Sequence, residues 1–232
     1  MSTLVSDLGL VPSIATALQV LGFVTVVGAL ATLFIVAVSN RAESDPSGSR
    51  PMAAYLFSGA FLFLWIAYMG VAFAASSLIQ LLGPHPASPL GLPSTSYGDQ
   101  AIRACVAGGL LLVVAGGAAV LHLRRGAALA EAEHDQSGPT KRVMRTYVAL
   151  VSFISVVILV LALVATGWLV AGLISPTIFV ADASRTSTTR ALLDALVLVL
   201  LAGIVFAAHQ RYAPEWLRLL GSMHAPRHAA TS

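Results

Sequence analysis

Charged residues are excluded from long stretches of the chain. The runs that contain no Asp, Glu, Lys or Arg are residues 8–40, 51–98, 104–123 and 146–181. A fifth apolar run, 191–209, contains one charge, Asp194. A helix needs about 20 apolar residues to cross the roughly 30 Å hydrocarbon layer of a bilayer. The pattern therefore predicts an all-α fold class, a polytopic membrane helix bundle with five transmembrane helices. We expect these helices near residues 14–39, 52–82, 102–123, 146–174 and 190–210.

The composition agrees with this class. Hydrophobic residues make up 57% of the chain and charged residues 10%, with a mean hydropathy of +0.87, whereas about 25% of the residues of a soluble domain are charged. The N-terminus has neither the basic start nor the cleavage site of a secretory signal, so we expect the first span to be a retained signal anchor. The single cysteine, Cys105, excludes an internal disulfide and any CxxC motif.

The distribution of Lys and Arg predicts the orientation, because these residues accumulate in short cytoplasmic loops. With the N-terminus outside and the C-terminus inside, ten basic residues lie inside and three, Arg103, Arg185 and Arg190, lie outside. The reverse orientation places three inside and ten outside. The sequence therefore predicts an N-out/C-in topology.

Two segments of the chain resemble each other at a nearly constant offset. The stretch RPMAAYLFSGAF, residues 50–61, returns 92 residues later as RVMRTYVALVSF, and the next helix matches at an offset of 87. The identical pairs include polar and aromatic types, namely Arg50/Arg142, Tyr55/Tyr147, Phe61/Phe153, Arg103/Arg190, His122/His209 and Arg124/Arg211. Each copy contains two spans, so both copies have the same orientation in the membrane. We predict a tandem two-helix repeat.

The repeat divides the chain into five predicted segments. They are the N-terminal transmembrane helix with its inner loop (1–49), the first two-helix repeat (50–125), a cytoplasmic linker (126–141), the second two-helix repeat (142–212) and a cytoplasmic tail (213–232). The Pro/Ser/Thr-rich outer loops are too short to form a domain.

The second repeat resembles a known family. The stretch VMRTYVALVSFISVVILVLALVATGWLV is followed by a helix that ends in GIVFAAHQRYAPEW. This pattern is similar to a bacterial integral-membrane family of unknown function, in which a Tyr-x-x-Leu-Val-Ser-Phe-Ile-Ser helix precedes a helix that ends in a His-x-x-Ala/Tyr turn. The resemblance is best over residues 142–216 and fainter over 50–125. It implies the architecture and no particular activity.

Both repeats place the same residue types near the predicted cytoplasmic interface. The candidates for binding a ligand or a lipid headgroup are Arg50, Tyr55, His122, Arg124, Arg142, Tyr147, His209 and Arg211. One interpretation is a belt of basic and aromatic anchors. The other is a pair of pseudosymmetric pockets that hold anionic headgroups or a small anionic ligand.

The two helical histidines also stand at the matched depth that axial haem ligands would need. Each, however, lies within two residues of an arginine at the membrane edge, and no second helical histidine accompanies either one. The sequence therefore predicts neither a cofactor nor a metal site.

Asp194 is the only acid inside a predicted span, and a charge within hydrocarbon is costly. Arg190 precedes it by four residues on the same helical face. We therefore predict a structural ion pair between Arg190 and Asp194.

Small residues cluster in the third predicted helix, including Gly108, Gly109, Gly116 and Gly117. In lipid, such residues allow helices to approach closely, either within the chain or between copies.

The chain contains no Walker loop, HExxH, GxSxG or paired carboxylates, so we do not expect an enzyme. We predict a multi-pass protein of the bacterial cytoplasmic membrane that serves as a scaffold or accessory subunit. The alternatives are a small-solute transporter or channel and, third, a haem-binding membrane redox protein. The expected partners are the lipid bilayer with its anionic headgroups, and a second copy or another membrane subunit. No nucleic acid is expected.

Overall fold

The computed structural model describes residues 27–28, 30–32, 35, 48–82, 95–133, 138–179 and 184–210. Within this part of the chain every regular element is a helix. The complete helices are α1 (Ser49–Gln80), α2 (Thr95–Glu131), α3 (Pro139–Ile174), the short α4 (Pro176–Phe179) and α5 (Arg185–Gln210). Four of them, α1, α2, α3 and α5, are long and apolar enough to cross a membrane. The all-α membrane class predicted from the charge-free runs is therefore confirmed at this level.

Local sequence explains where several helices begin and end. Gly48, with φ of 60°, precedes α1, and a residue with a Cβ rarely adopts this left-handed conformation. Pro139 occupies the first turn of α3, where its missing N–H would have no helical partner. The Glu133 carboxylate accepts a hydrogen bond from the Lys141 N–H at 3.1 Å, which places a negative group at the positive end of the α3 dipole. Ser175 separates α3 from α4, and Pro176, which has no N–H to continue the hydrogen bonds of α3, begins α4.

The helices form two antiparallel hairpins, α1 with α2 and α3 with α5. In the first hairpin the backbones meet at two glycines. A Cβ on Gly70 would lie 2.7 Å from the Gly108 carbonyl oxygen, and a Cβ on Gly108 would lie 2.6 Å from the Gly70 carbonyl oxygen. In lipid, where no hydrophobic force drives helices together, such close backbone approach is a main source of helix association. Gly108 therefore serves packing within the chain, while Gly109 and Gly117 have nothing within 4 Å.

The hairpins pack together through the aromatic face of α1. Phe57, Phe61 and Trp65 are at most 2% exposed and lie in one cluster with Tyr147 and Val151 of α3. The two hairpins also meet at their starting ends, where the Thr140 hydroxyl donates to the Ser49 hydroxyl at 3.3 Å. The first helices of the two hairpins thus begin at the same end of the bundle and run in the same direction. This arrangement is the one that a tandem repeat requires, and the repeat itself stays a prediction.

The predicted N-terminal helix, 14–39, lies mostly outside the described residues. The described positions are helical, and Ala31 and Ile35 are buried in the core cluster. Gly28 lies close to the Phe61 ring, since a Cβ at this position would be 3.8 Å from Phe61 Cε1. These positions therefore pack on α1, on the face that also contacts the second hairpin.

Helices α2 and α3 extend further than the charge pattern predicted, and α2 continues to Glu131 within the segment assigned to the linker 126–141. The segment AALAEAE after Gly126 consists of strong helix formers. It also packs on the bundle: a Cβ on Gly126 would lie 3.0 Å from Phe57 Cζ, and Ala130 is buried. Burial against α1 favours the helix over the solvated loop that its charges indicated.

The close approach at Gly108 leads to a stability prediction with a matched control. We expect Gly108→Ala to destabilise the protein by about 1–3 kcal/mol, because its methyl group must push α1 and α2 apart. Gly109→Ala faces open space and should leave stability unchanged or raise it by up to about 1 kcal/mol through helix propensity. Thermal unfolding of both variants in one detergent measures the difference, and equal midpoints would contradict the crossing.

Candidate functional site

Most of the predicted site residues lie at one end of the bundle, which we call the basic end: α1 and α3 begin there, and α2 and α5 end there. The basic residues in these four helix termini are Arg50, Arg124, Arg125, Lys141, Arg142 and Arg145. Within each hairpin the structure brings the predicted tyrosine and histidine together, Tyr55 with His122 and Tyr147 with His209. The two pairs nevertheless differ in burial and in hydrogen bonding.

In the second hairpin, the side chains of Tyr147 and His209 are buried and are hydrogen-bonded to each other, and we call this pair closed. Tyr147 and His209 are 1% and 5% exposed, and the tyrosine hydroxyl lies 3.0 Å from His209 Nε2. His209 Nδ1 lies 2.8 Å from the Val205 carbonyl oxygen, which only accepts, so Nδ1 carries the proton and Nε2 accepts from Tyr147. The Phe57 ring packs on Tyr147 with ring centroids 5.5 Å apart. All three polar atoms of the pair are therefore satisfied inside the protein.

In the first hairpin, the rings of Tyr55 and His122 are in contact but Tyr55 is exposed, and we call this pair open. The His122 ring lies against Gly59, where an added Cβ would be 2.6 Å from His122 Cδ2. Its ring centroid is 5.7 Å from that of Tyr55 and 5.3 Å from that of Phe63, so the imidazole sits between two aromatic rings of α1. His122 Nδ1 donates to the Ala118 carbonyl oxygen at 2.8 Å. Tyr55 is 65% exposed, and no hydrogen bond joins its hydroxyl to the histidine within the described part of the chain.

The predicted arginines have different surroundings in the described part of the chain. Arg124 is exposed on α2, as is its neighbour Arg125. Arg50 and Arg142, at the starts of α1 and α3, both interact with other groups of the protein. Arg211 lies outside the described residues. The hypothesis that each pocket contains two arginines therefore stays a prediction.

Arg190 and Asp194 lie at the opposite end of the bundle, in a line of polar contacts between α1 and α5. Arg190 donates to the Leu82 carbonyl oxygen, from Nε at 2.9 Å and also from a terminal nitrogen. Asp194 accepts a hydrogen bond from the Ser76 side chain, and its Oδ1 is buried with no partner among the described residues. One turn deeper, the Tyr68 hydroxyl lies 3.5 Å from the Leu198 carbonyl oxygen. The described contacts of both residues thus connect the two hairpins, and the Arg190–Asp194 ion pair stays a prediction.

Sequence reasoning did not identify three residues that shape these sites, Gly59, Phe63 and Ser76. The sequence did contain a signal for Gly59. This residue follows Tyr55 by four positions and precedes Phe63 by four, so all three lie on one face of α1. In the sequence, Ser76 is distinguished only as a residue with a hydroxyl group inside an apolar run. Within the described ranges no group of three His, Cys, Asp or Glu residues is placed to hold a metal ion.

Comparison of the chain with protein-family models, with curated proteins and with solved structures finds no match.

Asp194 has one partner in the structure, Ser76, and one predicted from the sequence, Arg190. Double-mutant cycles test the two interactions separately. We expect Asp194→Asn and Ser76→Ala to show a coupling free energy of about 0.5–3 kcal/mol, because the first change replaces the charged acceptor of the hydrogen bond by a neutral amide and the second removes its donor. The cycle of Asp194→Asn with Arg190→Gln measures the ion pair in the same way. Reversible unfolding in mixed micelles provides the free energies. Strict additivity in the serine cycle would contradict the hydrogen bond, and additivity in the arginine cycle would refute the ion pair.

Proposed function

We propose that the chain is an integral membrane scaffold or accessory subunit with five transmembrane helices, oriented N-out/C-in in a bacterial cytoplasmic membrane. The observation that carries this proposal is the solid interior of the bundle. Large side chains fill the space between the hairpins, and Phe57, Phe61, Trp65 and Tyr147 are almost completely buried there. What the protein offers to other molecules is therefore its outer helix faces and its two ends.

A transport path would need polar groups or broken helices at mid-depth. In the middle of α1 the side chains that face the second hairpin are Phe61, Trp65 and Tyr68, which pack edge to face in sequence, with centroids 6.2 and 5.3 Å apart. The helix break at Pro176 lies beyond the end of the long α3. Both features favour a structural role over solute passage.

The outer faces offer surfaces for a partner helix. Gly109 and Gly117 of α2 are eight residues apart, so they lie on one side of the helix, two turns from each other. No described residue lies within 4 Å of a Cβ at either position, and the neighbours Val113 and Leu110 are exposed. We propose this face of α2 as the contact with a second copy or with another membrane subunit.

The proposal is tested by extracting the tagged protein from its own membrane in mild detergent and measuring native mass. We expect a defined assembly heavier than the 24.0 kDa chain, and we expect Gly109→Leu combined with Gly117→Leu to release the monomer. Gly167→Leu on α3, which also faces open space, is the control and should leave the assembly intact. A monomer at every detergent concentration, or release by the control as well, would refute the scaffold role.

A transporter is the second candidate, favoured by one observation. Asp194 is an intramembrane acid with a buried, unpartnered oxygen between the two hairpins, in the part of the chain that the structure describes. Such acids are found in proton and ion pathways. Proteoliposomes that contain a pH-sensitive dye decide the matter: the scaffold proposal expects no proton uptake above that of empty liposomes. Uptake that Asp194→Asn abolishes would establish the transporter instead.

A haem-binding role has less support. His209 Nε2, the atom that would ligate iron, accepts a hydrogen bond from buried Tyr147. Ligation by both histidines would require this bond to break. The resemblance to a bacterial membrane family of unknown function implies the architecture and favours none of these roles.

The proposed orientation rests on the ten-to-three distribution of basic residues and has its own test. A reporter fused after Ser232 should be active in the cytoplasm. A cysteine introduced at Ser96, in a Cys105→Ser background, should react with an impermeant maleimide added to intact cells. Protection of position 96 until the cells are broken would reverse the orientation.

A further inference from the structure

We propose that the groove between α1 and α2 at the basic end binds the phosphate group of an anionic phospholipid, with Tyr55 and His122 as its polar contacts. We call this surface the Tyr55–His122 groove; it consists of Tyr55, Gly59 and Phe63 of α1 and His122 and Arg125 of α2. The proposal is independent of the scaffold role and concerns only the first hairpin.

The first step is the orientation of the histidine. The bond from His122 Nδ1 to the Ala118 carbonyl oxygen, 2.8 Å long, fixes which edge of the ring points away from α2. Gly59 allows this ring to lie against the α1 backbone, because any Cβ there would collide with it. Nε2 is the remaining polar atom, and it has no hydrogen-bond partner among the described residues. The protein therefore holds a histidine in a defined rotamer without using its second nitrogen.

The second step is the neighbouring hydroxyl. Tyr55 packs its ring near His122 yet keeps 65% of its surface exposed. In the second hairpin the equivalent hydroxyl closes onto the equivalent histidine at 3.0 Å. In the first hairpin the two groups lie side by side and leave their hydrogen-bonding capacity for a third group. A phosphate diester only accepts hydrogen bonds, so the Tyr55 hydroxyl donates to it. The His122 Nδ1 proton is already bonded to Ala118, so His122 donates from Nε2 in its doubly protonated, positively charged form.

The third step is charge. Arg125 follows His122 by three residues, so the two lie on neighbouring positions of one side of α2, and Arg125 is exposed. Arg124 adds a second exposed cation in the same turn. Along the chain after His122, the nearest acids are Glu131, the last residue of α2, and Glu133 just beyond it, which already accepts from the start of α3. Glu131 lies nine residues beyond His122, which is about 13 Å of helix. The local field therefore favours an anion.

The fourth step distinguishes a lipid from a soluble phosphate ester. The groove is bordered by exposed apolar side chains, Met52 and Leu62 on α1 and Leu121 on α2. These residues belong to helices long and apolar enough to cross a bilayer, and the proposal places them beside the acyl chains. A headgroup phosphate with its chains along Leu62 and Leu121 satisfies both the polar and the apolar parts of the groove.

The proposal differs from the pair of equivalent pockets that the repeat suggested. The Tyr147–His209 pair has neither an accessible surface nor a free hydrogen-bonding atom. The second pair therefore stabilises the fold, and only the first binds lipid. This asymmetry supplies the internal control for the experiment.

Native mass spectrometry of the full chain, titrated with phosphatidylglycerol or with phosphatidylcholine, tests the proposal. We expect phosphatidylglycerol to bind preferentially, and Tyr55→Phe and His122→Phe each to raise its dissociation constant about tenfold, since each removes one hydrogen bond to a charged group. Gly59→Ala should have a similar effect by displacing the intact imidazole. Tyr147→Phe, which removes the matching hydroxyl from the closed pair, should lower thermal stability and leave the dissociation constant unchanged.

Three results would overturn the proposal. Equal affinity in Tyr55→Phe and the unchanged protein would leave only a belt of interface anchors; Tyr55 is exposed, so this variant retains the fold. Equal binding of phosphatidylcholine would remove the preference for an anion. Displacement of phosphatidylglycerol by millimolar glycerol phosphate would show that the ligand is a soluble phosphate ester and not a lipid.

Discussion

The contact between the aromatic face of α1 and the first half of α3 is the interaction on which the rest of the structure depends. Phe57 lies against Tyr147, and Phe61 and Trp65 continue the same buried surface. Ala31 and Ile35 of the N-terminal segment join this cluster as well. Helix α1 therefore contacts every other part of the core, and its large side chains fix the distance between the hairpins.

Glycines on the opposite side of α1 give the first hairpin its tight packing. Gly70 meets the backbone of Gly108, and Gly59 receives the His122 ring. The side of α1 that faces the second hairpin is lined by large aromatic rings, which exclude solvent from between the hairpins. On the side that faces α2, the two glycines bring the helices close enough for a side chain of one helix to rest on the backbone of the other.

The same asymmetry explains why equivalent residues have different surroundings. The second hairpin presents Tyr147 and His209 to the centre of the bundle, where an unpaired polar group is costly, so the two satisfy each other. The first hairpin leaves Tyr55 exposed and His122 half-buried, and in our proposal a lipid headgroup satisfies them. A shared sequence pattern has therefore produced one stabilising contact and one open surface.

Much of the fold follows from the sequence because a bilayer leaves few choices: charge-free runs of sufficient length must be helices, since lipid offers backbone groups no other partner. The four apolar helices and the chain neighbours that form hairpins were determined in this way, and Tyr55, His122, Tyr147 and His209 were recognised from their spacing. Tertiary packing alone decided which tyrosine–histidine pair is buried, because both hairpins have a tyrosine and a histidine at matched positions of the sequence. It also decided that Asp194 contacts Ser76, since the spacing of four from Arg190 describes one helix and contains no information about the helix opposite. A hydrophobic pattern specifies that a residue lies in the membrane, but only the packing of one helix on another specifies what it touches there.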